Sequence, residues 1–238
     1  MGSMTWGVVP AVVIRAGRVL WPAPHPPRDG RRPPNPLQLG WEWRRAGARA
    51  VYVVSAEPPG ARPLASAAAV LGLSALGWAV WVGGGIRDVA TAKLYLGSGA
   101  EAVVVRALAR EPDRLARLLQ TVDADRVVVA LEVRGGVVGG FGPYTDPASC
   151  LREWEQAGVR RFLIRALAPA SEGWALDVPA LRALARPGRR VVADGGVRSE
   201  SDVRRLAEAG LDGVVIRQAL YQGSLSAEVF AIPAVRGG

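Results

Sequence analysis

Residues 81–88 read WVGGGIRD, and a related stretch, VADGGVRS, follows at residues 192–199. A shift of 111 residues brings the two together and places identical residues on each other without gaps: Gly84, Gly85, Arg87, Gly99 and Arg106 on Gly195, Gly196, Arg198, Gly210 and Arg217. At a slightly larger shift, residues 12–19 fall on residues 131–138. Self-similarity at a fixed spacing indicates an internal repeat, and here it predicts two equivalent halves.

Strand-like and helix-like runs alternate along the whole chain. The strand-like runs are valine-rich and often unbroken by polar residues, as in a parallel sheet covered on both faces; they lie at residues 7–14, 50–55, 78–82, 102–106, 126–133, 161–166, 190–193 and 213–217. Helical patterns such as LQLGWEWRRAG and SDVRRLAEAG lie between them, and the weakest is the last, near LSAEVFAIP. Eight βα units predict an α/β fold of the closed (β/α)₈ TIM barrel type rather than an open sheet.

The repeat and the alternation together predict the domain organisation. One barrel domain is expected over residues 4–238, with duplicated (β/α)₄ halves at about 4–123 and 124–238, and residues 1–3 read as an expression scar. Residues 21–36, WPAPHPPRDGRRPPNP, are too rich in proline for a helix. They predict a long loop over the C-terminal ends of the strands.

Composition limits the partners. The formal net charge is +9, and arginine supplies nearly all of the positive charge because Lys93 is the only lysine. The arginines are scattered without a block of five, which argues against nucleic acid and favours an anionic small molecule or a thermophile-like composition. No apolar run approaches the roughly 20 residues that span a bilayer, so no membrane partner is expected. A single cysteine, Cys150, suits a cytoplasmic protein.

The glycine stretches follow the third and seventh predicted strands, where barrel enzymes place their active-site loops. Glycine lets the backbone approach a ligand and present N–H groups, which is favourable for phosphate. The fourth and eighth strands end in VVVRALA and VVIRQAL, which offer further backbone donors beside these loops. Two equivalent sites on opposite sides of one barrel predict a ligand with a phosphate at each end. The alternative is that the glycines only relieve crowding in tight turns.

Several stretches resemble the phosphoribosylformimino aminoimidazole carboxamide ribotide isomerase family of histidine biosynthesis: VPAVVIRAGRV, VGGGIRD, LEVRGG, ADGGVRSESDVRRLAEAGLDGVVI and ALYQG. The cyclase subunit of imidazole glycerol phosphate synthase is a more distant match. The resemblance covers residues 8–223 and implies a duplicated half-barrel that binds a ligand with two phosphates. It also implies an Amadori-type aldose-to-ketose rearrangement with no metal and no organic cofactor.

The catalytic positions of that family are altered in this chain. Where the family has a general-base aspartate at the end of the first strand, this sequence has Val13, which cannot move a proton. The family's general-acid aspartate on the fifth strand matches Glu132, the one catalytic residue that the resemblance implies. Another family aspartate matches Ser55, and a Thr-Asp pair matches Arg165 and Ala166. Glu132 has the alternative role of neutralising a nearby arginine such as Arg165, Arg15 or Arg134.

The family's small phosphate-loop residues are also replaced, by Arg106-Ala107 and Arg217-Gln218. Guanidinium groups bind phosphate bidentately, so the substrate- and phosphate-binding residues predicted from the glycine loops and the resemblance are Gly84, Gly85, Arg106, Ala107, Gly195, Gly196, Arg217 and Gln218. The alternative for the two arginines is a salt bridge at the barrel rim. His25, the only histidine, is expected to be a solvated loop residue unless loop closure brings it in.

Two classes of function follow. One is a divergent sugar-phosphate isomerase, and the other is a barrel that binds a phosphorylated small molecule without catalysis. Enolisation needs one group to give a proton and another to take one. The candidates for a second group beside Glu132 are His25, Glu57 and Glu172, and none of them matches a family position. We therefore expect the family reaction to be absent or at least about a hundredfold weaker.

Overall fold

The computed structural model describes residues 7–20, 35–58, 60–139, 146–171 and 173–232. The proline-rich loop with His25, residues 1–3 and Glu172 therefore lie outside the described residues. Within them the strands are β1 Gly7–Arg15, β2 Arg18–Leu20, β3 Ala50–Ser55, β4 Ala79–Gly83, β5 Ala102–Val105, β6 Val127–Arg134, β7 Val137–Val138, β8 Arg161–Ala170, β9 Gly173–Leu176, β10 Arg190–Asp194 and β11 Gly213–Ile216.

Eight of these strands close a parallel barrel. Its order is β1, β3, β4, β5, β6, β8, β10 and β11, and the ring closes because β11 pairs with β1. The second half joins the first through the parallel pairing of β5 with β6 and continues from β6 to β8. The TIM barrel predicted from the sequence is confirmed. The first residue of each of its eight predicted strands lies within one residue of the first residue in the structure.

Helices cover the outside of the barrel. They are α1 Pro36–Arg45, α2 Leu64–Ala75, α3 Val89–Gly97, α4 Pro112–Thr121, α5 Pro147–Gln156, α6 Val178–Leu184, α7 Glu200–Glu208 and α8 Gln218–Tyr221. The weak pattern near LSAEVFAIP forms a 3₁₀ turn at Ala227–Ala231 instead of an α-helix. In the sequence Pro233 comes two residues after this turn, and proline cannot donate the hydrogen bond that would extend a helix. No helix among the described residues has the length and apolar character to cross a membrane.

Three short antiparallel strands were not predicted. β2 turns back on β1 and β7 turns back on β6, each through a two-residue turn, Ala16-Gly17 or Gly135-Gly136. All four turn residues have positive φ, which matches the twist that two-residue hairpins require. β9 pairs with the extended end of β8. These hairpins lengthen the wall around the C-terminal ends of the strands.

The repeat register is visible in the bounds of the elements. A shift of 111 residues carries α1 onto α5, β4 onto β10, α3 onto α7 and β5 onto β11, with both ends of each pair coinciding. The hairpins after β1 and β6 occupy corresponding places in the two halves. A duplication of one half-barrel would produce this coincidence of element bounds. The duplication and the domain bounds stay predictions.

The core has two layers. Inside the barrel, inward side chains form one cluster that includes Val9, Ala11, Tyr52, Trp81, Val104, Val128, Leu163, Val192 and Val215. A second and larger cluster fills the space between the sheet and the helices. Because side chains alternate along a strand, these inward positions fix which residues face the barrel interior at the C-terminal ends.

Candidate functional site

Five neighbouring strands carry an inward-facing charged residue at the mouth of the barrel, within or directly after the strand. Each lies two positions after a residue on the inner face of its strand, and we call these five the charged rim: Arg106, Glu132, Arg165, Asp194 and Arg217. Their strands, β5, β6, β8, β10 and β11, are consecutive around the barrel. The signs of the charges therefore alternate around more than half of the barrel mouth.

Glu132 is held by two arginines. Arg134 donates from Nε to Oε1 at 2.7 Å, and Arg106 donates from Nη2 to Oε2 at 3.2 Å. Burial raises the pKa of this carboxyl, but the Arg134 hydrogen bond and the charges of Arg106, Arg134 and Arg165 outweigh burial, so the pKa lies below its usual value. The carboxylate is thus ionised and has both oxygens engaged. The alternative role of Glu132, pairing with a nearby arginine, corresponds to its ion pair with Arg134. The alternative role of Arg106, a salt bridge at the barrel rim, corresponds to its ion pair with Glu132.

Asp194 is a second carboxylate at the mouth. It accepts a hydrogen bond from Nη2 of Arg165 at 3.3 Å, while Nε of Arg165 is buried and has no partner among the described residues. Asp194 was not singled out from the sequence, although it opens the DGGVR motif. Its position at the last residue of a barrel strand was the signal that could have identified it.

Tyr52 lies beneath the charged rim on the floor of the mouth. Burial raises the pKa of its phenol, the charge of Asp194 raises it further, and Arg217, Arg165 and Arg106 oppose the shift. The hydroxyl is therefore neutral and can donate a proton to a hydrogen bond. Tyr52 was not predicted as a site residue, because residues 50–55, AVYVVS, have the pattern of an ordinary buried strand.

On the opposite side of the mouth, the strand ends that the structure describes are uncharged. Val13 occupies the inward position of β1, and β4 ends at Gly83, against which the Tyr52 ring packs. Ser55 is buried, with 4% of its surface exposed. Glu57 is also accounted for, since Oε1 accepts from the Ala16 amide and from the Ser66 hydroxyl, each at 2.7 Å. This carboxylate holds the β1 hairpin and does not replace the missing first-strand acid.

The two glycine loops have the backbone that glycine permits. All four predicted residues have positive φ: Gly84, Gly85, Gly195 and Gly196. A Cβ at Gly84 would lie 2.2 Å from the carbonyl oxygen of Ser55, so packing alone requires glycine there. At Gly85 a Cβ would meet no atom within 4 Å, so its positive φ, and not crowding, is the reason for glycine there. The tight-turn alternative therefore stays open for both residues.

The helices that follow these loops have their own caps. Asp88 accepts from the Thr91 amide at 2.7 Å at the start of α3, and Ser199 and Asp202 form a capping box at the start of α7. These caps satisfy the Thr91 and Asp202 amides, so those two backbone donors are not left for a ligand.

A cavity of about 560 Å³ opens at the mouth on the side of the second half. The candidate residues Gly195, Gly196, Arg217 and Gln218 line it, together with Arg165 and Asp194. Arg217 donates no hydrogen bond to any described residue, in contrast to Arg106. Ala107 is exposed and precedes the 3₁₀ turn Leu108–Arg110 after β5. The structure thus brings the second-half candidates together at one cavity and places Arg106 in an ion pair.

Among the residues that the structure describes, no group of three or more His, Cys, Asp or Glu side chains is placed to hold a metal ion.

Comparison with known proteins places this barrel in a family. A family model described as "Histidine biosynthesis protein" matches residues 7–226. The chain belongs to the histidine biosynthesis protein family.

Within that family the chain is similar to curated proteins named 1-(5-phosphoribosyl)-5-((5-phosphoribosylamino)methylideneamino) imidazole-4-carboxamide isomerase. The protein from Myxococcus xanthus is 35% identical over 203 residues, which cover 82% of this chain and 85% of the relative. The protein from Deinococcus radiodurans is 30% identical over 227 residues, which cover 92% of this chain and 94% of the relative. The resemblance stated from the sequence is confirmed, and the chain is an isomerase-like barrel of the histidine biosynthesis family.

Proposed function

We propose that this histidine biosynthesis barrel binds a phosphorylated ligand with two phosphate groups at its mouth and that its chemistry has diverged from the family reaction. The relatives' names describe a substrate with two phosphoribosyl groups. Three arginines of the charged rim face the space in which such a ligand would lie, and they support the proposal because guanidinium groups recognise phosphate through paired donors.

The first phosphate site that we propose is at the second-half cavity. Arg217 lines this cavity beside Gly195 and Gly196, and among the described residues it has no hydrogen-bond acceptor. The unpartnered Nε of Arg165 adds a buried donor near the same glycines. A buried donor without an acceptor is unusual in a native protein, and an anion at this place would satisfy it.

The second site would involve Arg106 and the backbone at Gly85. Here the anion competes with Glu132, which accepts from Arg106 at 3.2 Å. The side chain of Arg106 is 46% exposed, so it can turn towards a ligand at modest cost. The two ends of the ligand would therefore be bound with unequal affinity, more tightly at Arg217.

The rearrangement requires protonation of the sugar ring oxygen and removal of a proton from the adjacent carbon. Glu132 is ionised by its arginine partners and therefore holds no proton to donate at neutral pH, and Asp194 is paired with Arg165. Val13 offers no proton acceptor on the opposite side of the mouth. We therefore expect turnover of the relatives' substrate to be absent or at least about a hundredfold below ordinary enzyme rates.

A second candidate is a barrel that binds the ligand without any catalysis. The observation that favours it is the engagement of both oxygens of Glu132 by Arg106 and Arg134. A carboxylate held in this way stabilises the rim and is not positioned as a free acid or base.

An assay on the relatives' ribotide, with matched variants, tests the proposal. We expect slow or no turnover by the natural chain, and an increase of at least about tenfold for Val13→Asp, which restores a carboxylate opposite Glu132. Val13→Asn is the control, because it has the same size and no proton-accepting charge. Turnover at ordinary enzyme rates by the natural chain, abolished by Glu132→Gln, would refute the loss of chemistry. Absence of bisphosphate binding would refute the proposal as a whole.

A further inference from the structure

A second cavity, of about 790 Å³, opens at the opposite end of the barrel. It lies beside the N-terminal ends of β6, β8, β10 and β11, and we call it the basal cavity. Its charged lining comprises five arginines and two aspartates: Arg160, Arg182, Arg186, Arg189, Arg190, Asp125 and Asp212. Because Glu155 also pairs with one of these arginines, Arg189, the five positive and three negative side chains leave an excess of two positive charges around one concave surface.

Two of these arginines build the wall of the cavity. Arg189 is buried and forms a two-pronged ion pair with Glu155, at 2.6 and 2.8 Å, and it also donates to the carbonyl of Leu184 at 2.7 Å. Arg160 donates to the carbonyls of Glu155 and Val159. These contacts fix the chain between α6 and β10 and thereby hold the shape of the basal cavity.

The other three arginines are exposed and have no such role. The side chains of Arg182, Arg186 and Arg190 donate no hydrogen bond to any residue that the structure describes. Asp212 brings a single negative charge against these three positive charges, and its Oδ2 accepts from the Val191 amide at 2.7 Å. Like charges gathered around one concave surface repel each other, and a bound anion is the usual means of relieving that repulsion.

The repeat supplies an internal comparison. In the first half, the positions equivalent to the arginines at 182, 186, 189 and 190 are uncharged: Leu71, Ala75, Trp78 and Ala79. An arginine-rich composition would add charge to both halves alike. Residues 63–86 contain no ionisable side chain at all, so the cluster belongs to one half and to one place in it.

We propose that the basal cavity is a second anion-binding site, for a small ligand that has several phosphate charges. Its volume lies within the range of about 300–1,000 Å³ that small-molecule sites occupy. Flexible guanidinium groups around a fixed wall suit a polyphosphate, which presents many oxygens in varied directions. A nucleic acid would instead require a basic stripe along the surface.

Titration with inorganic triphosphate at fixed ionic strength tests this proposal. The double variant Arg182→Gln, Arg186→Gln should weaken one of the binding events by at least about tenfold, since two charged donors are lost. The matched control is Arg62→Gln, Arg117→Gln, which removes the same charge from two exposed arginines outside both cavities. Arg217→Gln should affect only a separate event at the barrel mouth. Both double variants alter exposed side chains that have no side-chain partner among the described residues, and circular dichroism checks that they fold.

Three outcomes would overturn the proposal. One is unchanged triphosphate affinity in the Arg182, Arg186 variant, and another is an equal loss in the control pair, which would reflect overall charge alone. The third is a single-stranded RNA oligonucleotide that binds more tightly than triphosphate at the same salt and loses its binding in the same variant. That result would assign the cavity to a nucleic acid backbone.

Discussion

Arg106, directly after β5, and Glu132, near the end of the adjacent strand β6, form an ion pair of 3.2 Å at the barrel mouth. The arginine proposed to bind phosphate is thus restrained by the carboxylate that matches the family's general acid. Each residue limits what the other can do, because a ligand that recruits Arg106 must compete with Glu132. The balance between the two can be measured.

Replacement of Glu132 by glutamine should strengthen anion binding. The substitution removes the negative charge that holds Arg106 and Arg134, so affinity for a bisphosphate should rise by about fivefold, corresponding to about 1 kcal/mol for one nearby charge. Isothermal titration calorimetry measures the change. Glu208→Gln, an exposed glutamate on α7, is the control for net charge. A fall in affinity would mean that the Glu132 carboxylate itself accepts a hydrogen bond from the ligand.

Replacement of Arg217 by alanine should weaken bisphosphate binding. A charged hydrogen-bonded contact contributes about 1 to 3 kcal/mol, and Arg217 has no described partner whose loss would complicate the comparison. Arg217→Lys keeps the charge but loses the paired donors, so its affinity for the bisphosphate should lie between those of the natural chain and of Arg217→Ala. Equal affinities for all three proteins would show that Arg217 is structural.

Gly84→Ala should destabilise the fold more than Gly85→Ala. Both positions have positive φ, at 83° and 69°, which costs an L-residue about 1 kcal/mol. At Gly84 the new Cβ would also lie 2.2 Å from the Ser55 carbonyl oxygen, so we expect a total of at least about 2 kcal/mol. Chemical denaturation of both variants provides the free energies of unfolding. Similar losses would argue that the loop adjusts around Ser55.

Glu155→Gln should lower stability and reduce its dependence on pH. Arg189 would remain buried without its charged partner, a change that costs about 3 kcal/mol at the lower end of the range for broken buried pairs. The Arg189 hydrogen bond holds the pKa of Glu155 below its ordinary value of 4.5. In the natural chain the pair's contribution is therefore fully present above that value and is lost as pH falls through the lowered pKa of the folded state.

Unfolding curves of the two proteins between about pH 3 and pH 7 measure this difference. The variant should show the smaller change in free energy of unfolding over the acid range. Glu153→Gln on the same helix is the control, since no ion pair of Glu153 is among the described contacts. A parallel pH dependence in both proteins would contradict the assignment.

The barrel and its strands were predictable because the chain alternates valine-rich runs with helical patterns and repeats itself at one spacing. The hairpins after β1 and β6 were not predicted, although Gly135-Gly136 is a known turn signal. Their returning strands, β2 and β7, have only three and two residues, which is too short for a strand pattern to be recognised in the sequence. The sequence allowed the ion pairs of Glu132 to be predicted only as one of two possible roles. A whole helix separates Arg106 from Glu132 along the chain, so their contact could not be derived from spacing. Asp194 and Tyr52 were missed because their importance depends on which neighbours face inward, and periodicity alone does not give that.

The closed ring has a consequence for the two halves taken singly. They meet along two ladders of backbone hydrogen bonds, with three residue pairs between β5 and β6 and four between β1 and β11. The first half produced alone would have β1 and β5 as unpaired edge strands, and the second half would have β6 and β11. The free backbone N–H and C=O groups of an edge strand can pair with an extended segment of another chain. The first half, whose helix α2 has no charged side chain to discourage contact, would self-associate more readily than the second.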